Sequence, residues 1–119
     1  MKAININNKF SVINDLWKPR VLAELNGQQV KISKVKGEFV WHDHKEEDEL
    51  FIILKGTLKM MFRDRTEIVN EGEMILVPKG VEHKPVAKQE VWMMLFEPKN
   101  IKHTGGVKSH LTIDNYEEI

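Results

Sequence analysis

The stretch Trp41-His42-Asp43-His44-Lys45-Glu46-Glu47-Asp48-Glu49, with its complement Gly72-Glu73-Met74-Ile75-Leu76-Val77-Pro78-Lys79-Gly80-Val81-Glu82-His83, decides the reading of this chain. In an extended backbone, residues i and i+2 point to the same face. His42 and His44 therefore project together, and their imidazoles can grip one ion. Glu49 opens the apolar run Leu50-Phe51-Ile52-Ile53-Leu54. His83 follows a Pro78-Lys79-Gly80 turn, so a neighbouring strand can return it to the pair. Three imidazoles and one carboxylate suit a first-row transition metal. Val40, His42 and His44 share one face, and Glu49, Phe51 and Ile53 share another. If both faces point inward, the four polar residues lie at one end of an apolar cavity.

The rest of the chain reads as short strands separated by Gly and Pro turns, the pattern of an all-β sandwich or barrel. Arg20–Leu25 and Gln28–Val35 flank Asn26-Gly27, a strong hairpin signal. Gly37–His44 is expected to be the strand carrying the histidine pair. Glu49–Leu54, Thr57–Phe62, Thr66–Val69, Met74–Val77, His83–Val86 and Glu90–Phe96 follow as strands. Asn14-Asp15-Leu16-Trp17 is expected to form a short helical turn stopped by Pro19. Residues 99–119 read as a polar tail packed on the surface, with one late strand at Ser109–Ile113. Val91–Phe96 is apolar on both phases, which calls for burial on both faces. The outer face then needs a cover: a second subunit, as in a homodimer, or Ile4–Phe10 or the late strand folding back.

Composition narrows the classes of function. A chain of 119 residues reads as a single domain, 1–119, large enough for a core. Hydrophobic residues make up 41% and charged residues 30%, the balance of a folded globular protein. Lys+Arg and Asp+Glu both number 18, and this neutrality argues against nucleic acid, which needs a basic face. The absence of cysteine excludes disulfides and thiolate metal sites. No apolar run is long enough to cross a bilayer as a helix, and no signal peptide is visible at the N-terminus. The expectation is a cytoplasmic protein with neither membrane nor nucleic acid as partner.

At the His/Glu residues the sequence resembles the cupin superfamily. The first motif of that family has the form G-x5-H-x-H-x4-E-x6-G, and Gly37, His42, His44, Glu49 and Gly56 follow it with one residue fewer after Gly37. The other motif has the form G-x5-P-x-G-x2-H-x3-N, and Gly72, Pro78, Gly80 and His83 match, with Ala87 in place of Asn. The matched core runs from about residue 37 to 87. The resemblance implies a single-domain jelly-roll β-barrel. It also implies one divalent metal ion per chain, held by His42, His44, Glu49 and His83. The ion could be manganese, iron, cobalt, nickel, copper or zinc, since these ligands suit them all. Family members include dioxygenases, isomerases, decarboxylases and non-catalytic binders, and one fold hosts many chemistries.

Other residues carry less. Glu46, Glu47 and Asp48 read as a solvated acidic loop, and His103 and His110 as surface residues of the tail. Trp41 is out of phase with the histidines and should lie outside the barrel. Arg63 and Arg65 have the character of a solvated hairpin tip. No cysteine or serine nucleophile motif and no phosphate loop is present. The functional expectation is a metal-binding protein acting on a small oxygen-bearing molecule, with a dioxygenase as the first reading. A non-enzymatic small-ligand or metal-sensing module is the alternative. A sugar isomerase of the mannose-6-phosphate isomerase kind ranks below both, because no basic cluster for phosphate is visible.

Overall fold

The computed structural model describes residues 1–99, 101–112 and 115–119. One short helix, α1 (Ile6–Ser11), precedes eight strands: β1 (Arg20–Leu25), β2 (Gln28–Glu38), β3 (Glu49–Lys55), β4 (Leu58–Phe62), β5 (Thr66–Val69), β6 (Met74–Val77), β7 (His83–Pro98) and β8 (Glu117–Glu118). The strands run β5-β4-β7-β2-β1-β8, with β3 pairing β7 and β6 off this path. The fold is an all-β jelly roll. It is open between β5 and β6, which share no ladder.

Local chemistry accounts for most of these elements. Asn26 and Gly27 both adopt positive φ, 50° and 76°, as a two-residue hairpin between β1 and β2 requires. The strand expected at Gly37–His44 is not a separate element. β2 continues to Glu38, and beyond it only His42 makes an isolated bridge, to His83. A register shift between Val35 and Gly37, with Gly37 at φ 86°, kinks β2, which pairs on with β7 through Glu38 before the ladder ends. The two segments expected at His83–Val86 and Glu90–Phe96 are one 16-residue strand, β7. Its exposed middle, Lys88-Gln89-Glu90, is polar but stays extended.

The helical element lies earlier than Asn14–Trp17. Asn5 caps α1, its Oδ1 accepting from the Asn8 N–H at 3.0 Å, and Ile6, Phe10 and Ile13 fall on one side. Residues 15–17 form a bend instead, with Trp17 at φ 62°. Phe10 is fully buried and stacks on Trp92 with ring centroids 4.8 Å apart. The N-terminal segment thus supplies part of the cover that the outer face of β7 requires. The late strand expected at Ser109–Ile113 is absent over its described part: the Thr112 N–H returns to the Ser109 carbonyl at 3.1 Å as a turn. Ile113 lies outside the described residues. The last strand is β8, parallel to β1. No helix of the described residues is long and apolar enough to cross a membrane.

The main core fills the interior that the curled sheet encloses with Phe51, Ile53, Leu58, Met60, Val91 and Met93, among others. The tail is partly buried rather than lying on the surface. Ile101, His103 and Thr104 are buried, and the Tyr116 hydroxyl accepts from the His103 N–H and donates to the Ile101 carbonyl. Gly105 is needed for this path. Its φ is +62°, and a Cβ there would sit 2.2 Å from the Asp43 carbonyl oxygen.

Candidate metal centre

Two backbone devices bring the four residues together. His42 and His83 exchange N–H···O bonds of 3.0 and 2.9 Å, which locks the two segments side by side. Gly80, at φ +78° in the turn after β6, donates its N–H to the His44 carbonyl at 2.7 Å. Glu49 is the first residue of β3, with its side chain on the inward phase shared by Phe51 and Ile53.

His42, His44, Glu49 and His83 are 1–6% exposed, and one potential ligand atom from each lies within 4.8 Å of all the others. His44 Nε2 is 2.9 Å and His83 Nε2 3.3 Å from Glu49 Oε1. The Nδ1 atoms of His42 and His83 lie 2.9 Å from the carbonyls of Val40 and Val81. A carbonyl only accepts, so each Nδ1 carries a hydrogen, and a ring in its neutral form then presents a bare Nε2 lone pair. Such backbone contacts fix tautomer and ring orientation as an outer shell does around a ligated ion.

The polar atoms at the centre test whether a metal fits. His44 Nε2, His83 Nε2 and Glu49 Oε1 are buried with no hydrogen-bond partner. Orphaned buried polar atoms are costly. A bare Nε2 facing a carboxylate oxygen is favourable only with a cation between them. Burial, then the like charge of His83, lowers the His42 pKa to about 4, so the ring is neutral and competent to ligate near pH 7. Burial pushes the Glu49 carboxyl up, but contacts with Glu97, His44 and His83 outweigh it and hold it well below the carboxylate range. The cluster could hold a metal ion through nitrogen and oxygen donors.

An apolar cavity of about 20 Å³ adjoins the cluster, lined by His42, Glu49, Phe39, Phe51, Met93 and His103 among others. That space is roughly one water molecule. His103 is the residue whose position the sequence misleads on: it is buried, its ring tilted against Phe39 with centroids 5.1 Å apart, and its Nε2 is 3.1 Å from the Trp17 carbonyl. Burial lowers its pKa to about 4, against the backbone contacts with Trp17 and Leu111. A histidine in a polar segment gives no local sign of such burial; only the return of the tail across the barrel creates it. His110 is exposed as expected. Trp41 lies outside, with the Arg63 guanidinium 3.8 Å from its ring centre. Arg63 and Arg65 are solvated and paired with Glu82 and Glu67.

Comparison with known proteins agrees with the fold. Residues 29–97 match the profile of the Cupin domain family, and the chain belongs to that family. A cupin-2 domain containing protein from Shewanella frigidimarina is 54% identical in sequence. Its structure superposes with a TM-score of 0.80 over 81% of this chain and 94% of that one. Protein NMB1881 from Neisseria meningitidis is 28% identical, with a TM-score of 0.75 over 82% of this chain and 100% of that one. The uncharacterised protein YdbB of Bacillus subtilis is 38% identical over 64 residues, 53% of this chain. The match spans only 57% of YdbB's length.

Proposed function

We propose that this chain, as a single domain, is a metal-dependent cupin in which His42, His44, Glu49 and His83 hold one divalent first-row transition ion. The imidazoles bind through Nε2 and Glu49 through a carboxylate oxygen. The observation that carries this reading is the convergence of buried donor atoms that lack any protein partner. Bound, such an ion supplies Lewis acidity toward a small oxygen-bearing molecule. The chain's own contribution is to exclude water, keep the His42 imidazole neutral and confine the ligand. The cavity beside His42 and Glu49 admits only a few atoms while His103 stays in place, so the molecule at the centre is small. Metal analysis tests the ligand set. Wild type is expected to carry close to one ion per chain, and Glu49→Ala and His83→Ala to carry far less; equal, low metal in all three overturns the assignment. Chelation at pH 7 is expected to lower the melting temperature, because an ion bound only to the folded state stabilises it.

The finer reading is an oxygenase, favoured by the small apolar cavity beside the ligands. Oxygen uptake by the iron-loaded protein with small phenols or keto acids is the discriminating measurement. Saturable anion binding at the metal without turnover of any of them favours the binding-module reading. The protein acts as a homodimer in this proposal. Met74 and Leu76 on β6 are 65% and 57% exposed, and they extend a row through Ile52 and Leu50 to Met94 and Phe96 on β7. α1 packs against Trp92, Met94 and Leu54 and leaves that edge of the face open. A continuous exposed apolar face suits an isologous contact.

A further inference from the structure

The His/Glu cluster is buried, and the cavity beside it holds about one water molecule. A ligand of more than a few atoms reaches it only if part of the wall moves. The strands of that wall are tied by ladders. Residues 101–107 also wall the site but belong to no strand. The Gly105 N–H returns to the Lys102 carbonyl at 2.9 Å and the Val107 N–H to the Thr104 carbonyl at 3.2 Å, so the segment folds on itself. It crosses directly over the histidine pair. A Cβ on Gly105 would stand 2.2 Å from the carbonyl oxygen of Asp43, the residue between His42 and His44. His103 lines the buried cavity with His42 and Glu49. Gly105, Gly106 and Val107 also border an open groove of about 450 Å³ that reaches His44.

One side chain fastens this segment. The Tyr116 hydroxyl accepts from the His103 N–H at 2.6 Å and donates to the Ile101 carbonyl at 2.7 Å. Tyr116 itself is a fixed post: it directly precedes β8, which pairs with β1, and its ring lies 3.9 Å from the buried Lys31 Nζ. Resting on the metal-holding reading above for what lies beneath, we infer that residues 101–107 are a lid over the His/Glu cluster, latched by the Tyr116 hydroxyl. When the two hydroxyl bonds release, the segment lifts from Asp43, the groove and the cavity join, and a small oxygen-bearing molecule enters. Reclosure separates it from bulk water. Openings of this kind cost less than global unfolding because they break only local ties.

The chain has no cysteine, so a single introduced thiol reports access. Ser33→Cys places one in the cavity wall, at a fully buried position. Ala87→Cys places one in the main core, outside the cavity lining, and reports global unfolding. Both metal-free proteins are labelled with methyl methanethiosulfonate under native conditions. The thiol at position 33 is expected to react at least about tenfold faster than that at position 87. Tyr116→Phe keeps the ring on Lys31 but deletes both hydroxyl bonds, and is expected to speed labelling at position 33 about tenfold, the scale of one or two lost hydrogen bonds. Gly105→Ala, which cannot close on Asp43, is expected to act in the same direction and decides the matter if Tyr116→Phe does not fold. Phe10→Ala, on the outer face of β7, is expected to speed position 87 and leave position 33 unchanged. Equal rates at the two positions, or a position 33 that responds to Phe10→Ala but not to the lid variants, overturn the lid. In the cysteine-free chain, Tyr116→Phe is expected to speed Co²⁺ uptake and its removal by chelator by the same factor, with affinity unchanged; unchanged rates overturn the lid. A wild type that binds no cobalt overturns the metal reading alone, because the thiol labelling requires no ion.

Discussion

The two faces of the sheet formed by β2, β7 and β3 invert the usual distribution of polarity near the His/Glu cluster. The inward face there carries Gln29, Lys31, Ser33, Glu97 and Glu49, all buried. The outward face carries Ile32, Trp92, Met94, Leu50 and Ile52, only partly covered by α1. Further up the same strands the inward residues are Val35, Phe51, Ile53 and Met93, an ordinary core. The interior is thus apolar at one end and ionic at the other. The apolar end supplies stability through burial. At the ionic end Lys31 and Glu97 partner each other, because either charge buried alone would be costly.

Breaking the ionic end asymmetrically should have the largest effect. Lys31→Ala leaves Glu97 buried without its cation and is expected to destabilise the fold by about 3–5 kcal/mol. The double substitution Lys31→Met with Glu97→Leu, by contrast, should be close to neutral in urea unfolding of the metal-free protein. If the single and double variants unfold alike, the pair is not the electrostatic unit described. Truncating the outward cover tests the other face. Phe10→Ala, removing a fully buried ring stacked on Trp92, is expected to cost about 3–5 kcal/mol. A loss below about 1 kcal/mol, the ordinary size for a point substitution, would show that α1 is dispensable.

Acid sharpens the comparison, because only the polar end titrates. His42 and His103 both have folded pKa values of about 4, below the ordinary 6.5. Between those values the unfolded chain binds more protons than the folded one. Stability is therefore complete above pH 6.5 and is lost as pH falls toward 4, by on the order of 3 kcal/mol per histidine. Urea midpoints at pH 7 and pH 4.5 measure this, and a flat profile would contradict neutral burial of the two rings. The smallest effect on stability is expected at the uncovered edge. Met74→Glu with Leu76→Lys should change unfolding free energy by less than about 0.5 kcal/mol yet convert a dimer to a monomer. Light scattering of wild type near 13.9 kDa would remove the dimer from the proposal.

Much of the fold was legible because its signals are local. Period-two alternation, Asn26-Gly27 and Pro78-Lys79-Gly80 specify strands and turns within a few residues, and β1, β5 and β6 lie where the pattern places them. The segment Phe39–Asp48 was harder: its sequence has an extended character, but the ladder of β2 with β7 ends at Glu38 and beyond it only an isolated bridge from His42 remains. The helix was missed because its cap, Asn5, and its apolar residues Ile6 and Phe10 form too short a pattern to stand out before Trp92 is in view.

By itself, the sequence determined the strand pattern, the family resemblance and the candidate quartet of His42, His44, Glu49 and His83, since motif spacing and side-chain alternation are properties of the chain. Tertiary structure alone decided that the quartet's donor atoms converge within 4.8 Å. It also decided that His103 returns to the cavity and that Lys31 and Glu97 meet as a buried pair. Those facts depend on which distant residues meet. A charged residue reads as solvent-facing until a partner from another strand makes its burial possible.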